Sequence, residues 1–110
     1  MVLEDLPEEV TNVHYITLKW TEPESNGGAI TNYTPYYRIL TSGSQKGSWI
    51  KDDERREDAL QLWHSVKVSR GKTYEFVVTA SNGRGESNKE SIRRVNVLGK
   101  LPLLLLAVFS

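Results

Sequence analysis

Apolar and polar residues alternate along residues 15–21, where Ile16, Leu18 and Trp20 fall on one face of an extended strand. The threonine and lysine residues between them fall on the opposite face. A period of two residues is typical of an antiparallel strand with one buried face. The pattern therefore predicts a half-buried strand, which ends where proline and glycine residues accumulate in residues 23–28.

The same alternation recurs later in the chain and is clearest in residues 74–81. There Tyr74, Phe76, Val78 and Ala80 share one face. Further extended segments are predicted at residues 8–10, 30–40, 48–51, 60–68 and 91–98. Turn-forming residues separate the segments at intervals of about eight to twelve residues, which is the spacing of a β-sandwich or a small barrel. The pattern predicts an all-β protein of about seven strands.

The length of the chain, 110 residues, corresponds to a single domain. We predict that residues 6–98 form this domain, after an N-terminal leader of residues 1–5. Residues 99–110 are predicted to be an apolar tail outside the sandwich. The apolar part of this tail is only about half as long as a membrane-spanning helix. No signal peptide is visible at the N-terminus, and we expect the chain to be a fragment of a larger protein.

The amino-acid composition argues against several classes of function. Fourteen basic residues balance fourteen acidic residues, which argues against nucleic-acid binding because that normally needs a basic surface. The chain has no cysteine, so it can form neither a disulfide nor a thiolate metal site. His14 and His64 lie near no recognisable cluster of metal ligands or catalytic residues, and no glycine-rich phosphate loop is present. The sequence therefore predicts no catalytic residue, no metal and no cofactor.

Three segments, in this order along the chain, resemble the fibronectin type III family. They are Ile16-x-Leu18-x-Trp20 followed by Pro23; Gly27-Gly28-x-Ile30-x-x-Tyr33-x-x-x-Tyr37-Arg38; and Val68-x-x-Gly71-x-Thr73-Tyr74-x-Phe76-x-Val78-x-Ala80-x-Asn82-x-x-Gly85. The resemblance implies two antiparallel sheets, with strands A, B and E facing strands C, C′, F and G. It also implies that Trp20 is the core tryptophan of strand B. Tyr74 would be the tyrosine corner, with its ring in the core and its hydroxyl bonded to a backbone group.

The predicted fold is thus a fibronectin type III-like, two-sheet antiparallel β-sandwich. Its predicted core residues are Ile16, Leu18, Trp20, Tyr33, Tyr37, Val68, Tyr74, Phe76, Val78 and Ala80. Pro35 departs from the family pattern, because proline cannot donate a hydrogen bond to a neighbouring strand. We therefore expect a bulge or a local break of strand C at Pro35.

Partner-binding residues are predicted at two places. In the architecture that the resemblance implies, the B–C loop (residues 22–29) and the F–G loop (residues 82–87) emerge at the same end, and loops on a rigid scaffold often carry function. The candidates in the F–G loop are Asn82, Gly83, Arg84 and Glu86. The other place is the C–C′ face around Trp49, because exposed tryptophan is enriched at binding hot spots.

Each candidate also has a purely structural interpretation. Asn82 and Gly83 favour a tight turn whatever its function. Trp49 and Trp63 can simply cover the end of the sandwich or the stem of an arginine. The charged residues 51–58 form either a docking patch or a solvated loop. These alternatives remain open at the level of the sequence.

Residues 32–34 read Asn-Tyr-Thr, which is an N-glycosylation sequon. Because Tyr33 is predicted to face the core, Asn32 should face outward. Pro35 directly follows the sequon and should hinder its recognition. Asn32 is therefore a candidate glycosylation site if the chain is secreted.

We expect a non-catalytic protein-binding or spacer module of a larger cell-surface, adhesion or receptor protein, located outside the cell. Two alternatives stay open: a cytoplasmic structural module of a muscle-type giant protein, and an accessory domain attached to an enzyme. The expected partners are other proteins or neighbouring domains. Membrane association is expected only through the parent protein, and the module itself is expected to be monomeric.

Overall fold

A computed structural model describes residues 2–22, 30–41, 45–52 and 61–99. These residues form nine strands in two sheets and contain no helix. The strands are β1 (Glu9–Thr11), β2 (Tyr15–Lys19), β3 (Asn32–Thr41), β4 (Gln45–Lys46), β5 (Ile50–Lys51), β6 (Trp63–Lys67), β7 (Lys72–Asn82), β8 (Gly85–Glu86) and β9 (Arg93–Leu98). The predicted all-β, two-sheet sandwich is confirmed.

The larger sheet has the strand order β1-β9-β7-β3-β4, with β5 also paired to β3 and β8 to β7. The smaller sheet consists of β2 and β6. Alternation along β2 follows the predicted phase, because Ile16 and Leu18 are buried while the residues between them are exposed. The predicted segment 48–51 overlaps only β5, since β4 lies before it.

The core lies between the two sheets and draws on both. Nine of the ten predicted core residues are buried, and the tenth, Tyr37, is partly buried and packs against them. Prediction from sequence missed Leu3, Val66, Val95 and Val97, which are also buried in this cluster. Burying one such side chain contributes about 1.5–3 kcal/mol, so these four residues are a substantial part of the core.

Leu3 corrects the predicted N-terminal boundary. This residue is 1% exposed and forms an antiparallel bridge with Trp20 at the end of the smaller sheet. The backbone N–H of Glu4 also donates to the carbonyl of Lys19 at 2.8 Å. Leu3 therefore belongs to the sandwich, although residues 1–5 were predicted to form a leader outside it.

The N-terminal stretch of the domain is divided between the two sheets, although the resemblance implied that strand A belongs to the sheet of strands B and E. Its first part pairs with Trp20, whereas β1 pairs with β9 in the larger sheet. This pairing is parallel, so the expectation of purely antiparallel sheets was wrong in this place. Pro7 lies between the two parts, and its missing N–H makes it a natural point for the chain to leave one sheet and join the other.

Pro35 causes no bulge, contrary to the prediction. The ladder between β3 and β7 keeps one register from Asn32↔Ser81 to Leu40↔Thr73. The carbonyl of Pro35 accepts a hydrogen bond of 3.0 Å from the N–H of Asp52, on the side of β5. Because the N–H and C=O of one residue lie on the same side of a strand, the missing donor of Pro35 also faces β5. The β3–β7 ladder therefore loses no hydrogen bond.

Two aromatic contacts tie the core together. The rings of Trp20 and Tyr33, which come from different sheets, lie with their centroids 5.4 Å apart. The ring of Tyr74 stacks on Phe76 with a centroid distance of 5.8 Å. The hydroxyl of Tyr74 accepts a hydrogen bond of 2.8 Å from the backbone N–H of Ser69. Tyr74 thus fills core space and satisfies a backbone donor at the turn before β7.

Candidate functional site

The outward-facing side chains of the larger sheet are unusually well covered. Along β7, Glu75, Val77 and Thr79 point away from the core, yet they are only 5%, 0% and 0% exposed. Tyr36 of β3 pairs with Val77 on the same face and is 7% exposed. A second layer of side chains therefore lies over this sheet. We call the layer and the residues beneath it the outer face: Tyr36, Arg38, Trp49, Lys51, Glu75, Val77, Thr79, Glu86, Lys89 and Arg94.

One part of the outer face is an arginine–carboxylate row across the sheet. The register of the strands places Arg38, Glu75 and Arg94 side by side on β3, β7 and β9. Arg38 Nε donates to one carboxylate oxygen of Glu75 at 2.8 Å, and Arg94 Nη2 donates to the other at 3.2 Å. The Glu75 side chain is 6% exposed, so its charge is compensated within the protein.

Trp49 extends this row at the β5 side. The guanidinium carbon of Arg38 lies 4.1 Å from the centre of the Trp49 ring. Such a cation–π contact holds both side chains in place. Trp49 thus covers an arginine, as one sequence-based interpretation had it, but it does so on an outer surface where a partner can also reach it.

The other part of the outer face is centred on Glu86. One oxygen of its carboxylate accepts hydrogen bonds of 2.5 Å from the hydroxyls of both Tyr36 and Thr79. The ammonium group of Lys89 lies 4.3 Å from the centre of the Tyr36 ring. Burial and the neighbouring Glu86 carboxylate raise the pKa of Tyr36 to about 12. Tyr36 is therefore a neutral hydrogen-bond donor at physiological pH.

Glu86 is held in its charged form. Partial burial acts to raise the pKa of its carboxyl group, but the hydrogen bonds from Thr79 and Tyr36 and the charges of Lys89 and Lys51 outweigh this effect. The pKa of Glu86 consequently lies below its ordinary value.

Glu86 was predicted as a charged loop tip, and its actual position is different. It lies in β8 and turns back over the sheet, whereas Arg84 and Gly83 are exposed at the hairpin tip. The side-chain oxygen of Asn82 accepts a hydrogen bond of 2.8 Å from the N–H of Arg84, which closes the turn locally. Gly85 has φ +136°, a conformation that favours glycine. The structure therefore brings Glu86 and Trp49 onto the outer face and leaves Arg84 apart from them.

Asn32 of the sequon lies at the start of β3 and is partly buried. Its side-chain amide donates to the hydroxyl of Thr34 at 3.3 Å, and its oxygen accepts from the hydroxyl of Thr31 at 3.0 Å. Glycosylation of Asn32 stays a prediction. The B–C loop after Glu22, the charged residues 53–58 and the tail from residue 100 onward lie outside the described residues.

The solvent-facing side of the smaller sheet is a second surface with exposed aromatic residues. Tyr15 and Trp63 are 60% and 52% exposed. The pairing of β2 with β6 sets Tyr15 opposite Lys67 and Lys19 opposite Trp63. Between these pairs the hydroxyls of Thr17 and Ser65 lie 2.9 Å apart.

His64 forms a contact that the sequence did not reveal. Its Nε2 lies 2.5 Å from Oδ2 of Asp52, and both side chains are largely buried. Asp52 follows β5 and His64 lies on β6, so the pair joins the two sheets along one side of the sandwich. A carboxylate also orients histidine in catalytic triads, but here its direct effect is to link two strands.

The described residues contain neither a cluster of metal ligands nor a membrane-spanning helix. There, no three His, Asp or Glu side chains are grouped closely enough to bind a metal ion. No helix in the described part of the chain is long and apolar enough to span a bilayer.

Comparison with known proteins supports the fold but gives no family assignment from sequence, since no family model matches the chain. The chain is similar to the "Twitchin kinase region from C.elegans (Fn31-NL-kin-CRD-Ig26)", with a TM-score of 0.62 and 25% identity over 88% of this chain. It spans only 15% of the length of that protein. It is also similar to the third fibronectin III domain of the human KIAA0343 protein, with a TM-score of 0.60 and 17% identity. That match covers 81% of this chain and 74% of the other.

Proposed function

The chain has the fold of a fibronectin type III domain, and from this premise we propose that it is a non-catalytic protein-binding module of a larger cell-surface, adhesion or receptor protein. The fold is one that occurs as a module within larger proteins. One similar structure belongs to a kinase region with several parts, and the other is the third such domain of its protein. The outer face of the larger sheet is the feature that most strongly supports a binding function.

The composition of the outer face supports protein binding. It combines the partly exposed Trp49 and the exposed Arg94 with the largely buried Tyr36 and Arg38, and these residue types are enriched at binding hot spots. Their hydrogen bonds and ring contacts hold them in place before a partner arrives. Because little side-chain freedom remains to be lost, binding there carries a small entropic cost.

The absence of catalysis is also part of the proposal. A groove of about 650 Å³ runs beside β3, β5 and the start of β7. It is lined by Ile39, Leu40, Gly47, Ser48, Ile50, Gly71, Lys72 and Thr73. Catalysis of proton transfer needs a group that titrates near the working pH, and among the described lining residues the one ionisable side chain is that of Lys72.

Site-specific photocrosslinking tests the proposal. A photoreactive amino acid replaces Ile92, which is 41% exposed in the segment between β8 and β9. Matched positions are Arg84 at the hairpin tip and Thr17 on the smaller sheet. In extracts of cells that express the parent protein, position 92 should give a discrete protein adduct that the other positions do not give. The absence of an adduct at every position would count against a protein-binding function.

A second candidate function, an accessory domain beside a catalytic domain, is favoured by the similarity to a kinase region. Deletion of the domain from the parent protein would then change the activity of its neighbour, without any crosslinked partner. The cell-surface location has its own test, because an N-glycan on Asn32 requires passage through the secretory pathway. A glycan that disappears in the Asn32→Gln variant would support that location over a cytoplasmic one.

A further inference from the structure

The chemistry of the outer face restricts which partner it fits. We propose that the outer face binds an acidic, extended segment of a partner protein, an inference that rests on the protein-binding function proposed above. Three properties of the face lead to this partner: its charge, the exposure of its basic groups, and its shape.

Basic groups outnumber acidic groups on the outer face. The side chains that contacts or strand register place there include four cations, Arg38, Lys51, Lys89 and Arg94. They include three carboxylates, Glu75, Glu86 and Glu9, the last placed beside Asn96 on the same face by the register of β1 and β9. The difference of four and three leaves a surplus of one positive charge among the described side chains, although the whole chain has a net charge of zero. The surplus is therefore a local property of this face.

Glu75 and Glu86 already accept hydrogen bonds within the protein, although Glu86 is solvent-exposed, and three of the four basic groups also reach solvent. Glu75 lies beneath the face between two arginines, and one oxygen of Glu86 already accepts two hydroxyl hydrogen bonds. By contrast, the Arg94 side chain is 58% exposed, and Lys51 and Lys89 are exposed as well. An approaching partner consequently meets the exposed cations of Lys51, Lys89 and Arg94, together with a Glu86 carboxylate that already accepts two hydrogen bonds.

A bulge in the edge strand contributes to this arrangement. Ser87 bonds to Ala80, and Arg93 pairs with Phe76, so five residues (88–92) lie opposite only three residues of β7 (77–79). The extra length includes Ser91 at φ +58°. Bulges redirect side chains, and this segment carries Lys89 over the ring of Tyr36.

The shape of the face favours an extended ligand over a compact anion. Its cations lie on β5, β3, β9 and the segment between β8 and β9, and thus on both sides of β7. Three interstrand spacings of about 4.8 Å separate the outer strands, so the groups extend over roughly 14 Å. A single phosphate cannot contact them all. A peptide with several carboxylates can, and each contact is then a charge-assisted hydrogen bond.

The first test uses a defined probe. It is a fluorescent peptide of about ten residues with glutamate at alternate positions, compared with the same peptide carrying glutamine instead. Fluorescence anisotropy should show binding of the glutamate peptide and at least about tenfold weaker binding of the glutamine peptide. Raising NaCl from about 50 to about 500 mM should weaken the glutamate complex, because exposed charges are screened. Equal binding of the two peptides would overturn the inference.

Matched variants locate the site. The triple variant Lys51→Gln/Lys89→Gln/Arg94→Gln should weaken binding of the glutamate peptide about tenfold. The control Lys19→Gln/Lys67→Gln/Arg70→Gln removes the same charge from exposed positions on or next to the smaller sheet, and it should change the affinity less than about twofold. Thermal unfolding checks that both variants remain folded. Equal weakening by the two variants would show non-specific attraction and overturn the inference.

The outcomes separate this inference from the proposed function. If position 92 forms a protein adduct but neither peptide binds, the acidic partner is wrong and protein binding stands. If no position forms an adduct and no peptide binds, the binding function itself fails. If the glutamate peptide binds and only the outer-face variant loses it, the inference is supported.

Discussion

The outward-facing side chains of the two sheets follow the same alternating sequence pattern, but they differ in exposure to solvent. On the larger sheet, outward residues of β7 such as Val77 and Thr79 are fully buried. On the smaller sheet, Tyr15 and Trp63 are more than half exposed. A strand inside the larger sheet has neighbours on both sides, so cross-strand side chains can close over it, whereas β2 and β6 pair with each other. Alternation thus decides the direction of a side chain, and the width of the sheet decides its exposure.

The two faces also differ in how their polar groups are satisfied. The outer face of the larger sheet holds a nearly buried carboxylate, Glu75, that needs both of its arginine partners. The solvent-facing side of the smaller sheet holds the hydroxyls of Thr17 and Ser65. Water can replace the hydrogen bond between them at little cost. Substitutions on the larger face should therefore cost far more stability than equivalent ones on the smaller face.

The largest expected effect concerns the core, which lies between the two sheets. Trp20→Ala should lower the free energy of unfolding by about 3–5 kcal/mol, because the lost ring leaves a cavity against Tyr33. Urea denaturation followed by circular dichroism measures this loss. A loss below about 0.5 kcal/mol, the usual size for a surface substitution, would mean that Trp20 is not a core residue.

The next effect compares the two faces directly. Glu75→Ala should cost about 3 kcal/mol, because it leaves the largely buried Arg38 without its carboxylate. Thr17→Ala, on the smaller face, should cost less than about 1 kcal/mol. Both values come from the same denaturation experiment. Similar losses in the two variants would remove the distinction between the faces.

A smaller effect depends on pH and is specific to the larger face. The pKa of Tyr36 is raised to about 12 in the folded protein, from an ordinary value of 10.0. Its contribution to stability is therefore complete below pH 10.0 and is lost as the pH rises to about 12. The unfolding free energy of the wild type should fall over this interval by about 2–3 kcal/mol more than that of Tyr36→Phe. Parallel pH profiles of the two proteins would contradict this.

The smallest effect distinguishes the two tryptophans that lie outside the core. Trp49→Ala should cost about 1 kcal/mol through the lost contact with Arg38. Trp63→Ala should stay within about 0.5 kcal/mol, as for most exposed positions. Thermal unfolding resolves the difference if both variants are measured side by side. A larger loss for Trp63 would show that the smaller face is packed more tightly than its exposure indicates.

Much of the inward half of this protein was predictable from sequence. Alternation identified the buried phase of β2 and β7 because a period of two survives in any sheet. The outward half was not predictable, because its contacts join residues far apart in the chain. Arg38 and Glu75 are 37 residues apart, and Tyr36 and Glu86 are 50 residues apart. The strand register decides which outward-facing residues contact each other. A single sequence contains no direct signal for that register.

Pro35 shows a related limit. The residue type correctly indicates a missing donor, but not the side of the strand that it faces. That side depends on which neighbour lies there, and here it is the short β5 rather than the long β7. The same applies to Glu86, since its place in a turn sequence predicted a free tip and its hydroxyl partners lie on distant parts of the chain.

The parallel pairing of β1 with β9 has a mechanical consequence. These are the first and last strands among the described residues, and they run in the same direction side by side. Tension applied through the two flanking segments pulls β1 and β9 in opposite directions along their length. The hydrogen bonds from Asn96 to Glu8 and from Asn12 to Leu98 are then loaded together in shear rather than opened one after another. In a module joined at both ends within a longer protein, this pair of strands would resist stretching by shear once tension has passed the pairing of Leu3 with Trp20.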